Sequence, residues 1–267
     1  MEKQFTRTEL LLGQEAMKRL RASRVVVFGV GGVGGHVAEV LARSGVGKIA
    51  LVDPDRVNLS NLNRQIVALH STVGRLKVDV MAERIRDINP DCEVQTHALF
   101  YLPETADEID LAQFDYVVDC IDTVKAKMEI IRRCHRLQVP VISSMGAANK
   151  LNPTAFRVCD ISKTSVDPLA KVLRKTLRKE GIEHFKVVYS EEAPSQPPPT
   201  GGGVPQNGQE SKNPKNICVE EPPPVGGGWR GPLPSCAFVP AACGLVIGGE
   251  VVKELAGFAG EASASTL

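Results

Sequence analysis

The sequence predicts a Rossmann-like α/β fold, a doubly wound and mainly parallel sheet with helices on both faces, and three observations carry that prediction. Short β-branched runs alternate with amphipathic stretches through the first half of the chain. A glycine-rich turn, Gly29-Val30-Gly31-Gly32-Val33-Gly34, follows the first of those runs directly, and an acidic residue, Asp53, ends the second. Alternation of this kind builds βαβ units, and such sheets bind ligands at the carboxyl ends of their strands.

Taken in order, RVVVFG reads as a strand, with a helix from about Gly34 after the glycine turn, and KIALVD reads as the next strand. A helix is expected from about Gly74 to Ile88, because Val78, Met81, Ile85 and Ile88 fall on one apolar stripe and Asn89-Pro90 ends it. EVQTHA and YVVDCID follow as strands, then a helix from Val124 to Leu137 and the strand VPVISS. Leu169, Leu173 and Leu177 share a stripe on a helix expected over Asp167 to Gly181. From about Pro194 to Pro234 the runs PPP and GGG offer few apolar side chains to bury, and the stretch reads as a mobile loop. Cys236 to Ala256 is apolar and helix-like again. The expected organisation is therefore a nucleotide-binding domain over 1–193, a Pro/Gly-rich loop over 194–235, and a C-terminal helix over 236–267 returning to the same domain.

With 267 residues and 43% apolar content the chain can bury a substantial core, which excludes disorder throughout. Its 32 basic and 31 acidic residues nearly cancel, so contact with nucleic acid must come from local patches. The 7 cysteines are odd in number and form no CxxC pair, which fits a reducing compartment and argues against a zinc ribbon. Charged residues interrupt the apolar ones at the N-terminus, so no signal peptide is expected and the cytoplasm is the expected location. Ala237 to Ala256 contains Pro240, Glu250 and Lys253 and reads as a buried or peripheral helix, with no stable membrane insertion.

The glycine turn places backbone amides and a helix N-terminus where a phosphate can approach, making Gly29, Gly31, Gly32 and Gly34 nucleotide-binding candidates. Asp53 stands where a carboxylate accepts hydrogen bonds from ribose hydroxyls, which NAD and ATP satisfy equally. The polar stretch Asp53 to Gln65 and then Lys77 discriminate between them, since a triphosphate losing pyrophosphate needs cations at its outer phosphates. Arg64 and Lys77 supply them, with Asp55, Asn61 and Gln65 as further candidates. Asn61 and Gln65 also read plainly as surface residues. Asp122 and Thr123 are expected to close a strand at the carboxyl edge, placed to hold Mg2+ or the adenylate phosphate.

GxGGxG, the strand-ending Asp and SNLNRQ together resemble the adenylation domain of ubiquitin-activating-enzyme-like proteins, the ThiF/MoeB/HesA superfamily. The resemblance implies that residues 1–193 form an ATP-binding adenylation domain. It implies that Gly32 and Asp53 contact the nucleoside, that Asn61, Arg64 and Lys77 hold the phosphates, and that Asp122 positions Mg2+. It also implies a homodimer, with Arg7, ahead of a helical segment, reaching into the partner's site. Activators of molybdopterin and thiamin sulfur carriers in this superfamily usually carry two CxxC pairs, which this chain lacks. NRQIVALHSTVG, KVDVMAERIRDINPDC, SVDPLAKVLRK and VVYSEEAP instead resemble tRNA threonylcarbamoyladenosine dehydratases, over most of residues 5–194. The long Pro/Gly insertion departs from that group's pattern.

That resemblance implies ATP-dependent cyclisation of a modified adenosine in tRNA through a carboxyl adenylate. The alternative is adenylation of a sulfur-carrier or ubiquitin-like protein C-terminus. An NAD-dependent oxidoreductase is supported only by the glycine turn and Asp53, and a noncatalytic adaptor would not need Arg64, Lys77 and Asp122. For tRNA, Lys171, Arg174, Lys175 and Arg178 fall on one helical stripe, extended by Lys163 and Lys186. A solvated helix face explains the same stripe. Cys218 and Cys236 qualify by position as acyl or sulfur acceptors, with a sulfur-transfer accessory protein as partner, although a free cysteine is more often core packing. Cys120 reads as structural, inside its strand.

Overall fold

The computed structural model describes residues 4–193 and 233–258. A 7-stranded sheet organises them, in the order β3-β2-β1-β4-β5-β7-β6. The strands are β1 (Arg24–Phe28), β2 (Lys48–Val52), β3 (Glu93–His97), β4 (Tyr116–Asp119), β5 (Val141–Ser144), β6 (Phe156–Asp160) and β7 (Lys186–Ser190). All neighbouring pairs are parallel except β6 with β7. The fold is thus the Rossmann-like α/β type that the sequence predicts. Its strand order reverses between β1 and β4, the place where folds of this type form a ligand crevice at the strands' carboxyl ends.

Both faces of the sheet are covered, which is why the central strands are continuous apolar runs. Val25 and Val27 of β1 point to one face, packed with α2 (Gln14–Ala22), α3 (Gly34–Arg43), α4 (Lys77–Ile88) and α7 (Phe238–Ala256). Val26 and Phe28 point to the other, with α5 (Val124–Leu137) and the turns around Ala106 and Leu111. A further cluster joins α5, α6 (Pro168–Arg178) and β7 through Ile131, Leu173, Leu177 and Val187. A short first helix, α1 (Thr6–Leu12), has no buried residue.

Several boundaries differ from expectation for identifiable reasons. α4 starts at Lys77 rather than Gly74, because Gly74 has φ +88° and residues 56 and 76 pair in an isolated bridge before the helix begins. β4 stops at Asp119, short of the expected YVVDCID, since the Asp119 carboxylate accepts the Ile121 N–H and turns the chain. α6 begins at Pro168, with the Asp167 carboxylate accepting the Ala170 N–H at 2.9 Å as its cap. Arg7 lies within α1 and not ahead of it. Of the loop expected over 194–235, residues 194–232 lie outside the described residues, as do Cys218, within that stretch, and residues 259–267.

α7 lies against α2, α3 and strands β5 to β7. Tyr116 Oη donates to Glu254 at 3.0 Å, and Lys186 pairs with Glu250 at 2.9 Å and with Glu254, so the helix is clamped at the amino ends of β4 and β7. No helix among the described residues is long and apolar enough to cross a membrane.

Candidate active site

The crevice between β1 and β4 is built from backbone first. Gly29 has φ +84°, and a Cβ there would stand 2.7 Å from the Cys120 carbonyl oxygen, so this position needs glycine to let the two strand ends meet. Gly31 differs: a Cβ would meet only Gln65 Nε2, at the ordinary separation of 3.7 Å. Nothing among the described residues requires glycine at residue 31, and the open space above it is where a phosphate can come close to backbone amides. Gly32 lies against α7, where a Cβ on it would stand 3.1 Å from Pro240 Cβ, and Gly34 starts α3.

Asp53 is 5% exposed and stitches the glycine turn to the end of β2. Its Oδ2 accepts the Val30 N–H at 2.7 Å and its Oδ1 the Asp55 N–H at 2.8 Å. Burial holds its carboxyl above the ordinary value, against the opposing pull of Lys77. Lys77 is equally buried and puts Nζ 2.7 Å from Asp55 Oδ2 and 4.0 Å from Asp53 Oδ1.

The SNLNRQ stretch, residues 60–65, begins in a 3-10 turn, Leu59–Asn61. Asn61 Oδ1 accepts the Asn58 N–H at 3.0 Å, so this oxygen caps the turn. Arg64 Nη1 donates to the Ser60 carbonyl at 3.1 Å and to Asn63 Oδ1 at 2.9 Å. Gln65 is 8% exposed, and its Oε1 is buried without a hydrogen-bond partner while its Nε2 faces Gly31. Among the described residues this buried amide oxygen has no partner, and it is free to accept a hydrogen bond from a ligand at the glycine turn.

Asp122 and Thr123 do not close a strand at a buried edge. Both are exposed on the turn between β4 and α5, with Thr123 Oγ1 3.5 Å from Asp122 Oδ1. The buried carboxylate here is Asp119, paired with Lys127, two residues the sequence reading passed over. An aspartate inside an apolar run and a lysine one turn into the next helix were the available signal. The described residues include no group of three or more His, Cys, Asp or Glu able to hold a metal. Mg2+ keeps most of its waters and needs one or two carboxylates beside substrate phosphates, and Asp122 fits that lesser demand.

The basic stripe is reduced by its partners. Arg174 turns inward and donates to the carbonyls of Ile161 at 3.3 Å and Thr164 at 3.0 Å, and Lys186 is held in the α7 clamp, so neither extends a basic surface. Arg178 pairs with Glu183 at 3.6 Å, while Lys163, Lys171 and Lys175 are exposed. Arg7 is exposed on α1 beside Leu10 and Leu11, each 82% exposed. Cys120 lies one residue past β4, with burial raising its thiol well above the ordinary value. Cys236 precedes α7, with Sγ 3.9 Å from the Lys150 carbonyl, and its neighbour Ser235 accepts a hydrogen bond from Asn63 at 3.0 Å. Cys236 therefore stands close to the SNLNRQ turn.

A model of the ThiF family matches residues 5–267. The tRNA threonylcarbamoyladenosine dehydratase of Bacillus subtilis is 45% identical over 253 residues, 94% of this chain and 94% of that protein. The crystal structure of E. coli tRNA N6-threonylcarbamoyladenosine dehydratase, TcdA, in complex with AMP superposes with a TM-score of 0.78 at 33% identity, covering 94% of this chain and 93% of that one. The same enzyme in complex with ATP superposes with a TM-score of 0.76 at 32% identity and the same coverage.

Proposed function

The chain belongs to the ThiF family, and we propose that it is an ATP-dependent tRNA threonylcarbamoyladenosine dehydratase, cyclising that nucleoside in the anticodon loop through a carboxyl adenylate. The observation that carries the reading is the crevice itself, where the partnerless Gln65 oxygen faces the open Gly31 backbone and Lys77 and Arg64 stand nearby with only local partners. Likeness to dehydratases along 94% of the chain supports the choice of acid to be activated.

The threonyl carboxylate attacks the α-phosphorus of ATP and pyrophosphate leaves. The carbamoyl group then attacks the acyl carbon, the C–O bond to AMP breaks, and the ring closes with net loss of one water. Asp53 accepts hydrogen bonds from the ribose hydroxyls, and the amides from Gly31 to Gly34, past the Gly29 and Val30 amides already given to Val52 and Asp53, meet the phosphates. Lys77 exchanges Asp55 for phosphate oxygens as pyrophosphate leaves, and Arg64 exchanges its carbonyl partner in the same way. Gln65 completes its amide on the nucleotide, and Asn61 and Thr123 line the same mouth. Asp122 would hold Mg2+, which neutralises charge on the phosphates. In a homodimer, Arg7 reaches the partner's crevice, and the exposed Leu10 and Leu11 support contact along α1. Lys163, Lys171 and Lys175 meet tRNA phosphates. Ring closure is intramolecular, so it requires no thiol from Cys236 and no sulfur from an accessory protein. The cytoplasm is the compartment we assign.

Gly31→Ala is expected to leave the melting temperature unchanged, because its Cβ has room, yet to weaken ATP binding about tenfold or more by blocking amide-to-phosphate approach. Calorimetric ATP titration of the folded variant checks this, and wild-type affinity would remove Gly31 from the site. The reaction itself is tested by mass spectrometry of nucleosides from tRNA bearing threonylcarbamoyladenosine, incubated with the protein, Mg2+ and with or without ATP. A product lighter by one water that forms only with ATP supports the dehydratase. Its absence with active protein would favour activation of a carrier-protein C-terminus.

A further inference from the structure

Below the crevice, the carboxyl ends of β4 and β5 are joined by buried side chains that the mechanism above leaves unused. Asp119 and Ser143 are fully buried and Lys127 is 1% exposed. Lys127 Nζ, in the first turn of α5, lies 3.0 Å from Asp119 Oδ2, 3.4 Å from Ser143 Oγ and 2.7 Å from the Ser144 carbonyl oxygen. Ser143 Oγ donates to the same Asp119 oxygen at 2.5 Å. The three ammonium protons are therefore matched by three acceptors, and Lys127 has nothing left to offer a substrate. Asp119 Oδ1 accepts the Ile121 N–H at 3.2 Å, closing the turn that brings the Cys120 carbonyl against Gly29 and presents Asp122.

A buried ion pair is a poor source of stability, since apolar residues of the same shape often serve as well or better. Its value here is geometric: one ammonium fixes the end of β4 to the end of β5 and thereby sets the turn over residues 120–123. We propose that Lys127 and Asp119 are positioning residues that hold Asp122 at the nucleotide's phosphates. This rests on reading the crevice as an adenylation site.

The test compares Lys127→Met, the double variant Asp119→Asn with Lys127→Met, and Asp122→Ala, measuring melting temperature, ATP affinity by calorimetry and turnover by AMP release with modified tRNA. Lys127→Met should lower kcat about 30- to 100-fold, the effect of a misplacement near 1 Å, with ATP affinity changed less than about threefold. The double variant removes both charges and keeps an acceptor for Ile121. It should melt no lower than wild type and still turn over slowly. Wild-type turnover in the double variant, or failure of both Lys127 variants to fold, would make the pair structural only and overturn the proposal. Absence of ATP-dependent AMP release by the wild-type protein would instead remove the adenylation reading beneath it. Wild-type turnover by Asp122→Ala would take Asp122 out of the site and overturn the proposal, and an inactive Asp122→Ala beside a fully active Lys127→Met would sink the positioning role alone.

Discussion

Lys77→Met should slow ATP-dependent turnover by about 10²- to 10³-fold, the scale on which a preorganised charge at a reacting centre acts. The side chain is 5% exposed at the first position of α4, and its ammonium rests between Asp55 at 2.7 Å and Asp53 at 4.0 Å. Asp55 is half exposed, so it is a partner the ammonium can leave when a triphosphate arrives. The same substitution has a separate effect on stability. Asp53 already has its carboxyl raised by burial, and Lys77 is the largest influence opposing that rise. Without the ammonium the carboxyl rises further, and the fold should lose roughly 2 kcal/mol near neutral pH. The sign with pH follows from proton binding: a carboxyl raised above its unfolded value of 3.8 keeps its proton longer in the native state. Its penalty is absent in acid and develops as pH rises through the folded pKa. The melting difference between variant and wild type should therefore shrink as pH falls toward 4. Less than tenfold loss of turnover in a folded variant would remove Lys77 from the phosphate site.

Patterns confined to one element were legible in the sequence. α5 occupies Val124–Leu137, the bounds expected for it, and the strands of the first half stand where the β-branched runs place them. The glycine turn and Asp53 were legible as well, because a strand, a tight turn and a helix must follow one another in sequence for that geometry to form. What was hidden depends on partners far along the chain. Arg174 lies on the expected stripe, but nothing local shows that the Ile161 and Thr164 carbonyls fold back to take its guanidinium. Asp122 sits beside an apolar run, and the strand ends before reaching it because the Asp119 carboxylate, held by Lys127 from the next helix, takes the Ile121 N–H. β6 pairs antiparallel at the sheet edge, where its side chains are mostly half-buried and leave a weak alternation.

The resting arrangement of the cations also bears on catalysis. Lys77 and Arg64 are held by groups at the mouth of the crevice, an aspartate and a backbone carbonyl, at hydrogen-bond distance. Their side chains are thus ordered before ATP binds, so less rotamer entropy is lost when phosphate replaces the local partner. Arg64 is ordered by its own turn, through the Ser60 carbonyl four residues before it, whereas Lys77 comes from the start of α4 and is ordered by Asp55, 22 residues away.

Gly244→Ala and Gly249→Ala, two identical substitutions on one helix, should shift stability in opposite directions. In a helix interior alanine is favoured over glycine by about 1 kcal/mol, and at Gly249 a Cβ meets nothing within 4 Å, so that variant should gain stability of this order. At Gly244 the added carbon would overlap the Val33 carbonyl oxygen and stand 2.8 Å from His36 Cβ, so α7 must move off α3. Overpacking of this kind should destabilise by about 2 kcal/mol despite the better helix former, lowering the melting temperature by roughly 4–8 °C. The consequence reaches the active site, because Pro240 on the same helix lies 3.1 Å from where a Cβ of Gly32 would be, and α3 begins where the glycine turn ends. A displaced α7 removes the wall behind that turn, so Gly244→Ala should also bind ATP more weakly while Gly249→Ala binds it normally. Thermal melts with and without saturating ATP separate the two effects. Equal shifts in both variants would mean that α7 does not seat against α3 through Gly244, and that the C-terminal helix has no hold on the phosphate turn.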